Sequence, residues 1–308
     1  MENNGMHTFS NVSRILILLL LLIVSPLSTA AKPQQVAIVI SNTSAVYLAV
    51  TEEIKANFDN KSQLTVVDIS KTPYLPEYTP TYLTVGTQAF QKVLAEKPEA
   101  TIIASFIPRR TYETLISEQK KQHTTAIFVD QPMSRQVKLV RLIMPNAKTI
   151  GTVFGASSIE ERKLLYEAAN NANFSIISNT LNADDNPLAI LQPIISKADM
   201  FLALPDQSVF NKATAKWSLY ITLHDKKPLI GFSEKYVEAG ALAAVYSTPV
   251  DIGKDAYNTL AKYLKTNVLP DAHHPTDFSV KTNSSSARAL NLVLPPDNIL
   301  IQKLKEAE

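Results

Sequence analysis

The apolar positions of this chain fall into short runs separated by longer stretches of helical spacing. Gln35–Ile40 (QVAIVI) is rich in β-branched residues, the composition of a strand buried on both faces. Ser44–Phe58 follows at helical spacing, with Ser44 as its candidate cap. Further strands are predicted at Leu64–Ile69, Tyr82–Val85, Thr101–Phe106 and Thr125–Val129, with helices opening near Gln88 and Thr111. A helix over Arg135–Met144 stops near Pro145, and the pattern then restarts. Strands at Thr149–Phe154, Phe174–Ser178, Met200–Leu204, Pro228–Gly231, Ala241–Tyr246 and Asp277–Lys281 accompany helices at Ser158–Ala172, Pro187–Lys197, Ser208–His224 and Asp251–Lys265.

Strands alternating with helices of about 10–15 residues make βαβ units and parallel sheets. The predicted class is therefore α/β, with two Rossmann-like lobes joined by a hinge. The junction runs from Asp130 to Gly155 (DQPMSRQVKLVRLIMPNAKTIGTVFG). Ala241–Tyr246 runs into Ser247, Thr248 and Pro249, a candidate return to the first half. The expected division is 32–130 with 247–270 as lobe I, and 131–246 with 271–308 as lobe II.

The N-terminus changes the setting. Arg14 precedes an apolar run from Ile15 to Val24, followed by Pro26 and the small residues Ser28 to Ala31. That order is a secretory signal peptide over residues 1–31. The run is short for a membrane span of about 20 residues, although a retained N-terminal anchor is the competing reading. The chain has no cysteine, so neither a disulfide nor a lipid-modified cysteine is available. The expected location is periplasmic, and not as a lipoprotein.

A net charge of +2 argues against nucleic acid as a partner. Seven glycines and the lack of both GxGxxG and GxxxxGK[ST] argue against a phosphate loop, and no cofactor is expected.

In parallel α/β sheets, ligands sit at the carboxyl ends of the strands beside helix N-termini. This rule selects Ser41 and Asn42; Gly86, Thr87 and Gln88; Arg109; Asp130; Ser157; Asp206; and Phe232 with Ser233. Hydroxyls and amides flanked by aromatic surface suit a small zwitterion or polar aromatic. The backbone N–H groups at Gly86 and Thr87 could hold a carboxylate, and Arg109 or Arg110 could add a fork of donors. The same serines and threonines also serve as helix caps, and Asp206 as the cap of the helix after it. Trp217, mid-helix, is expected to pack.

An exported hydrolase would need a nucleophile, a base and an orienting acid, and no GxSxG occurs. His123 and His224 are isolated, and His273 and His274 are adjacent before Pro275, where they are expected to face solvent. No metal site is expected.

The junction, together with YLTVGTQAF, KPLIGFSEKYVEAGALAAVYSTPVDIGKDAYNTLAKYL and FSVKTNSSSARALNLVLP, resembles the ABC transporter substrate-binding protein family of tryptophan/tyrosine type. The order and spacing of these segments carry the resemblance across nearly all of the chain after residue 31. It implies a periplasmic binding protein fold, hinge closure on a small amino acid or related carboxylate, and delivery to an inner-membrane permease by a monomer. By resemblance, Gly86 and Thr87 form a carboxylate site, Asp206 follows the strand of the second lobe, and Phe232 with Ser233 lies in the cleft. The chain departs from the typical pattern at Ile107 to Arg110 and at Asp130 to Pro132. Both departures lie on ligand loops and admit a more anionic ligand. A sensing module that docks on a receptor kinase uses the same fold, and an exported hydrolase is the third reading.

Overall fold

The β-branched runs assemble into two separate sheets. The computed structural model of the chain describes residues 35–58, 64–116 and 120–306. The signal-peptide expectation lies outside these residues. Among them, no helix is long and apolar enough to cross a membrane.

The first sheet takes β1 (Val36–Ile40), β2 (Leu64–Asp68), β3 (Thr81–Val85), β4 (Thr101–Ile107) and β5 (Thr124–Phe128), in the order β2-β1-β3-β4-β5. All of its pairings are parallel. The connecting helices are α1 (Ala45–Asn57), α2 (Thr87–Glu96) and α3 (Arg109–Leu115). β1, β3 and β5 are buried along their whole length, which is why they lack the polar–apolar alternation of a half-exposed strand: β1 is wholly apolar, and the polar residues of β3 and β5 are threonines only, apart from the Tyr82 hydroxyl.

α4 (Met133–Ile143) leads to the second sheet. That sheet contains β6 (Thr149–Phe154), β7 (Ser175–Thr180), β8 (Met200–Leu202), β9 (Leu229–Gly231), β10 (Ala243–Tyr246) and β11 (Ser279–Thr282), in the order β11-β10-β9-β8-β6-β7. Its helices are α5 (Arg162–Asn171), α6 (Pro187–Lys197), α7 (Lys212–His224), α8 (Glu234–Glu238), α9 (Pro249–Thr266), α10 (Ser284–Ala289) and α11 (Asp297–Lys305). Parallel pairing holds except at the edge, where β11 runs antiparallel to β10. The chain is thus an α/β protein with parallel sheets in two lobes.

Each sheet is covered on both faces. Tyr82, Phe90, Ile102 and Phe128 pack together on one face of the first sheet, and Ile38, Ile54, Ile103, Ile252 and Leu260 on the other. Val137, Val140, Leu165, Leu202 and Leu300 cover one face of the second, and Leu191, Ile195, Phe201, Phe210 and Tyr236 the other. Elements therefore change sheets. α4 follows β5 yet packs with the second sheet, and α9 follows β10 yet packs on α1. Gly253 permits that last contact, because a Cβ there would lie 2.8 Å from both Val50 O and Glu53 Cβ.

The chain passes between the sheets near residues 129–133, 246–249 and 274–278. Before the last passage, His273 lies alongside β5: its N–H donates to Ala126 O, and Phe128 N–H donates to His273 O. The paired histidines are half-buried, which corrects the solvent-facing expectation. His274 Nε2 lies 3.5 Å from Asp130 Oδ2 and His273 Nε2 3.5 Å from Asp255 Oδ2. The helix expected from Ser208 begins at Lys212, where the Asn211 side chain accepts from Ala213 and Thr214 N–H. Asp206 is not its cap.

Candidate functional site

A cavity of about 170 Å³ lies between the strand ends of the two sheets. The first sheet supplies Pro108 and Arg110 from the β4–α3 turn and Val129 and Asp130 from the end of β5, and the passage into α4, which packs with the second sheet, supplies Gln131, Met133 and Gln136. The second supplies Ser157, Ser158 and Glu161 after β6, Leu204 and Pro205 after β8, Phe232 after β9, and Val245 in β10. The wall is mostly apolar, with a few polar groups.

Of the residues expected from the sequence, Arg110, Asp130, Ser157 and Phe232 line this cavity. Phe232 rests one side on Tyr236 and Phe210, with ring centroids 5.2 Å and 6.5 Å away. Asp130 accepts the backbone N–H of Arg109 at 2.8 Å, which ties the β4–α3 turn to the end of β5.

Ser41, Asn42, Gly86, Thr87 and Gln88 gather instead at the ends of β1 and β3. Ser41 is buried; its Oγ donates to Val85 O at 3.1 Å and accepts Ala89 N–H at 3.0 Å, so it caps α2 from another loop. Gly86 has φ +91°, and a Cβ there would lie 2.7 Å from Ser41 Oγ and from the Tyr47 ring. Asn42 accepts Ser44 N–H at 2.9 Å and opens α1. Ser233 accepts Tyr236 N–H as the cap of α8.

Asp206, 1% exposed, is engaged by its own lobe. Oδ2 accepts from Ser157 N, Ser158 N and Ser158 Oγ, and Oδ1 from Ser208 N and Ser208 Oγ. Burial pushes its pKa up, but the hydrogen bonds from Ser208 and Ser158 outweigh burial and hold it below the ordinary carboxylate range. Asp206 therefore shapes the loop that presents Ser157. Gly155 makes room for it, since a Cβ there would lie 2.8 Å from Asp206 Oδ2.

Arg109 spans the two lobes. Its guanidinium binds Glu113 at 2.5 Å and Glu161 at 2.7 Å, the latter on the far side of the cleft. Arg110 repeats the crossing more loosely to Glu160 at 3.6 Å. Phe106 has φ +54° at a register shift between β4 and β5, an outlier for a bulky residue, and packs edge-on to Tyr47.

Met133, Gln136, Glu161, Leu204 and Val245 escaped the sequence reading. Gln136 carried a signal: Met133, Gln136, Val137 and Val140 share one helical face, and a glutamine on an otherwise apolar face needs a partner. It is 2% exposed, and its Nε2 donates to Gln131 O at 3.3 Å, which turns Oε1 the other way. That Oε1 is buried with no hydrogen-bond partner. Among the described residues, no cluster of three or more His, Asp or Glu has the arrangement to hold a metal ion.

The family model for ABC transporter substrate binding proteins matches residues 84–305. No curated protein matches the chain. Among solved structures, a conserved domain protein from Vibrio cholerae is similar over 88% of this chain and 98% of its own, at 18% identity and a TM-score of 0.63. A Streptococcus domain crystallised in complex with L-Trp covers 87% and 98%, at 17% identity and 0.63. The ligand-free, open structure of a substrate binding protein with adhesive properties from Clostridium difficile covers 86% and 97%, at 15% identity and 0.69. At these identities the structures speak for a shared fold.

Proposed function

The chain belongs to the ABC transporter substrate binding protein family, and from that premise we propose that it captures an amino acid or related carboxylate between its lobes. The carrying observation is a mostly apolar cavity walled from both lobes, with Pro108, Val129 and Asp130 on one side and Gln136, Ser157 and Phe232 on the other. An apolar wall with a few placed polar groups fits a small ligand with an apolar body and one polar end. The Streptococcus relative bound to L-Trp supports the ligand class.

In this reading, 35–130 with 247–275 moves as one lobe and 131–246 with 276–306 as the other. The loops at Ser41, Asn42, Gly86, Thr87 and Gln88 meet the ligand as the cleft opens and closes, and Arg109 with Glu161 holds the closed form. The protein is exported as a monomer by its N-terminal signal and hands its ligand to a membrane permease.

A thermal-shift panel of amino acids and organic acids tests the reading. A ligand at a hundred times its dissociation constant stabilises the folded state by about 2.7 kcal/mol. A flat response to the whole panel rejects the ligand class.

A further inference from the structure

α7 hides hydroxyls and displays aromatic rings. Its buried positions include Thr214, Ser218 and Thr222. Ser218 and Thr222 donate back to the carbonyls of Thr214 and Ser218 at 2.6 Å and 2.7 Å, so these polar groups are satisfied within the helix. The opposite face carries Trp217 at 47% exposure, Tyr220 at 62% and Leu223 at 57%. The three lie at i, i+3 and i+6, on one side of a helix. Trp217 and Tyr220 meet edge-on at 6.3 Å between ring centroids, and Tyr220 stacks on His224 at 6.2 Å. Scattered exposed apolar residues are ordinary, whereas a contiguous aromatic stripe marks a contact surface.

Lys212 and Lys216 flank the same rings and, among the described residues, have no carboxylate partner. Asp225, at the end of the helix, is turned to Ser196 and His224. Trp and Tyr beside lysines and without acids is the chemistry of a membrane–water interface. The rings sit at headgroup depth while the ammonium groups meet lipid phosphate. We propose that the outward face of α7 is a docking surface for an anionic phospholipid membrane. The charge of the face selects that occupant, and α7 does not line the ligand cavity.

Trp217 is the only tryptophan in the sequence, so its emission reports on this face alone. The full chain is mixed with phosphatidylglycerol–phosphatidylcholine vesicles, in which a second set carries brominated acyl chains. The expected result is a blue shift of Trp217, with quenching by the brominated lipid, and no shift with phosphatidylcholine alone. Lys212→Glu with Lys216→Glu, checked for fold by circular dichroism, should weaken the response by at least about twentyfold, at roughly fivefold per lysine. An unshifted Trp217 on phosphatidylglycerol vesicles overturns the proposal, even where the chain co-sediments through another segment. So does an equal response from the charge-reversed variant. A shift that grows with protein concentration in the absence of lipid assigns the face to a second copy. A response confined to membranes that contain protein assigns it to a protein partner. Either outcome overturns the lipid assignment.

Discussion

Gln131 Nε2 donates to Ser247 Oγ at 2.9 Å, and through this bond the first passage between the sheets holds the second. Ser247 Oγ in turn donates to the backbone carbonyl of Asp277 at 2.7 Å, which brings in the third. Arg135 braces the same knot, with Nη1 2.6 Å from Gln131 Oε1 and its guanidinium 4.0 Å above the Phe278 ring. Ser247→Ala should cost about 1 kcal/mol, and Gln131→Ala about 3 because it strips a buried guanidinium of an acceptor. In a double-mutant cycle by urea denaturation the two should couple by about 1 kcal/mol. Strict additivity would show that the passages are independent.

Asp206 links acid sensitivity to the loop beneath the cavity. Its folded pKa is depressed by the Ser208 and Ser158 hydrogen bonds acting against burial. Such a carboxyl stabilises the fold above its unfolded value of about 3.9 and loses that contribution as pH falls through the lower folded value. Asp206→Asn should cost about 2 kcal/mol or more at neutral pH. It should also flatten the decline in stability below about pH 4, read from urea midpoints across pH. An unchanged acid limb in the variant would separate Asp206 from that decline.

The Arg109–Glu161 pair joins the lobes at 2.7 Å, with side chains 18% and 13% exposed. Partial burial makes the pair worth more than a surface bridge and makes loss of one partner costly. Glu161→Gln should populate a more open form, seen as a larger radius of gyration in small-angle scattering. It should also weaken the apparent affinity for any amino acid that the thermal panel identifies, in proportion to the closed fraction lost. Identical scattering curves for the two proteins would exclude the pair as a latch.

Gln136 leaves an orphan acceptor in the cavity wall. Gln136→Met keeps the volume and gives up only the long bond to Gln131 O. The ligand-free variant should match or exceed wild-type stability, to within about 1 kcal/mol. Binding of an amino acid should fall by about tenfold or more, while the analogue without the amine loses less, as calorimetry would show. The unpartnered Oε1 is an acceptor that an ammonium group can satisfy, and equal losses for both ligands would show that it does not meet the amine.

The alternation of buried runs and helices was legible in the chain because a strand covered on both faces carries a β-branched run without charged residues, as VAIVI at β1 and TTAIF at β5 do. The antiparallel edge of β11 was not legible, since SVKT carries the same local signal in either direction. Trp217 was misjudged as packing because residue type alone does not say which helical face meets the sheet, and here the Thr and Ser positions do.

The loops at the strand ends follow from the residues themselves: chain geometry places them there, and their hydroxyls and amides are written in the code. Which of those groups face a ligand is another matter. Ser41, Asp206 and Arg109 carry the right chemistry, yet Val85 with Ala89, Ser158 with Ser208, and Glu161 occupy them. Those partners are up to 52 positions away, and folding alone sets the competition between an internal partner and an incoming one. A polar side chain bonds to whatever packing brings within about 3 Å.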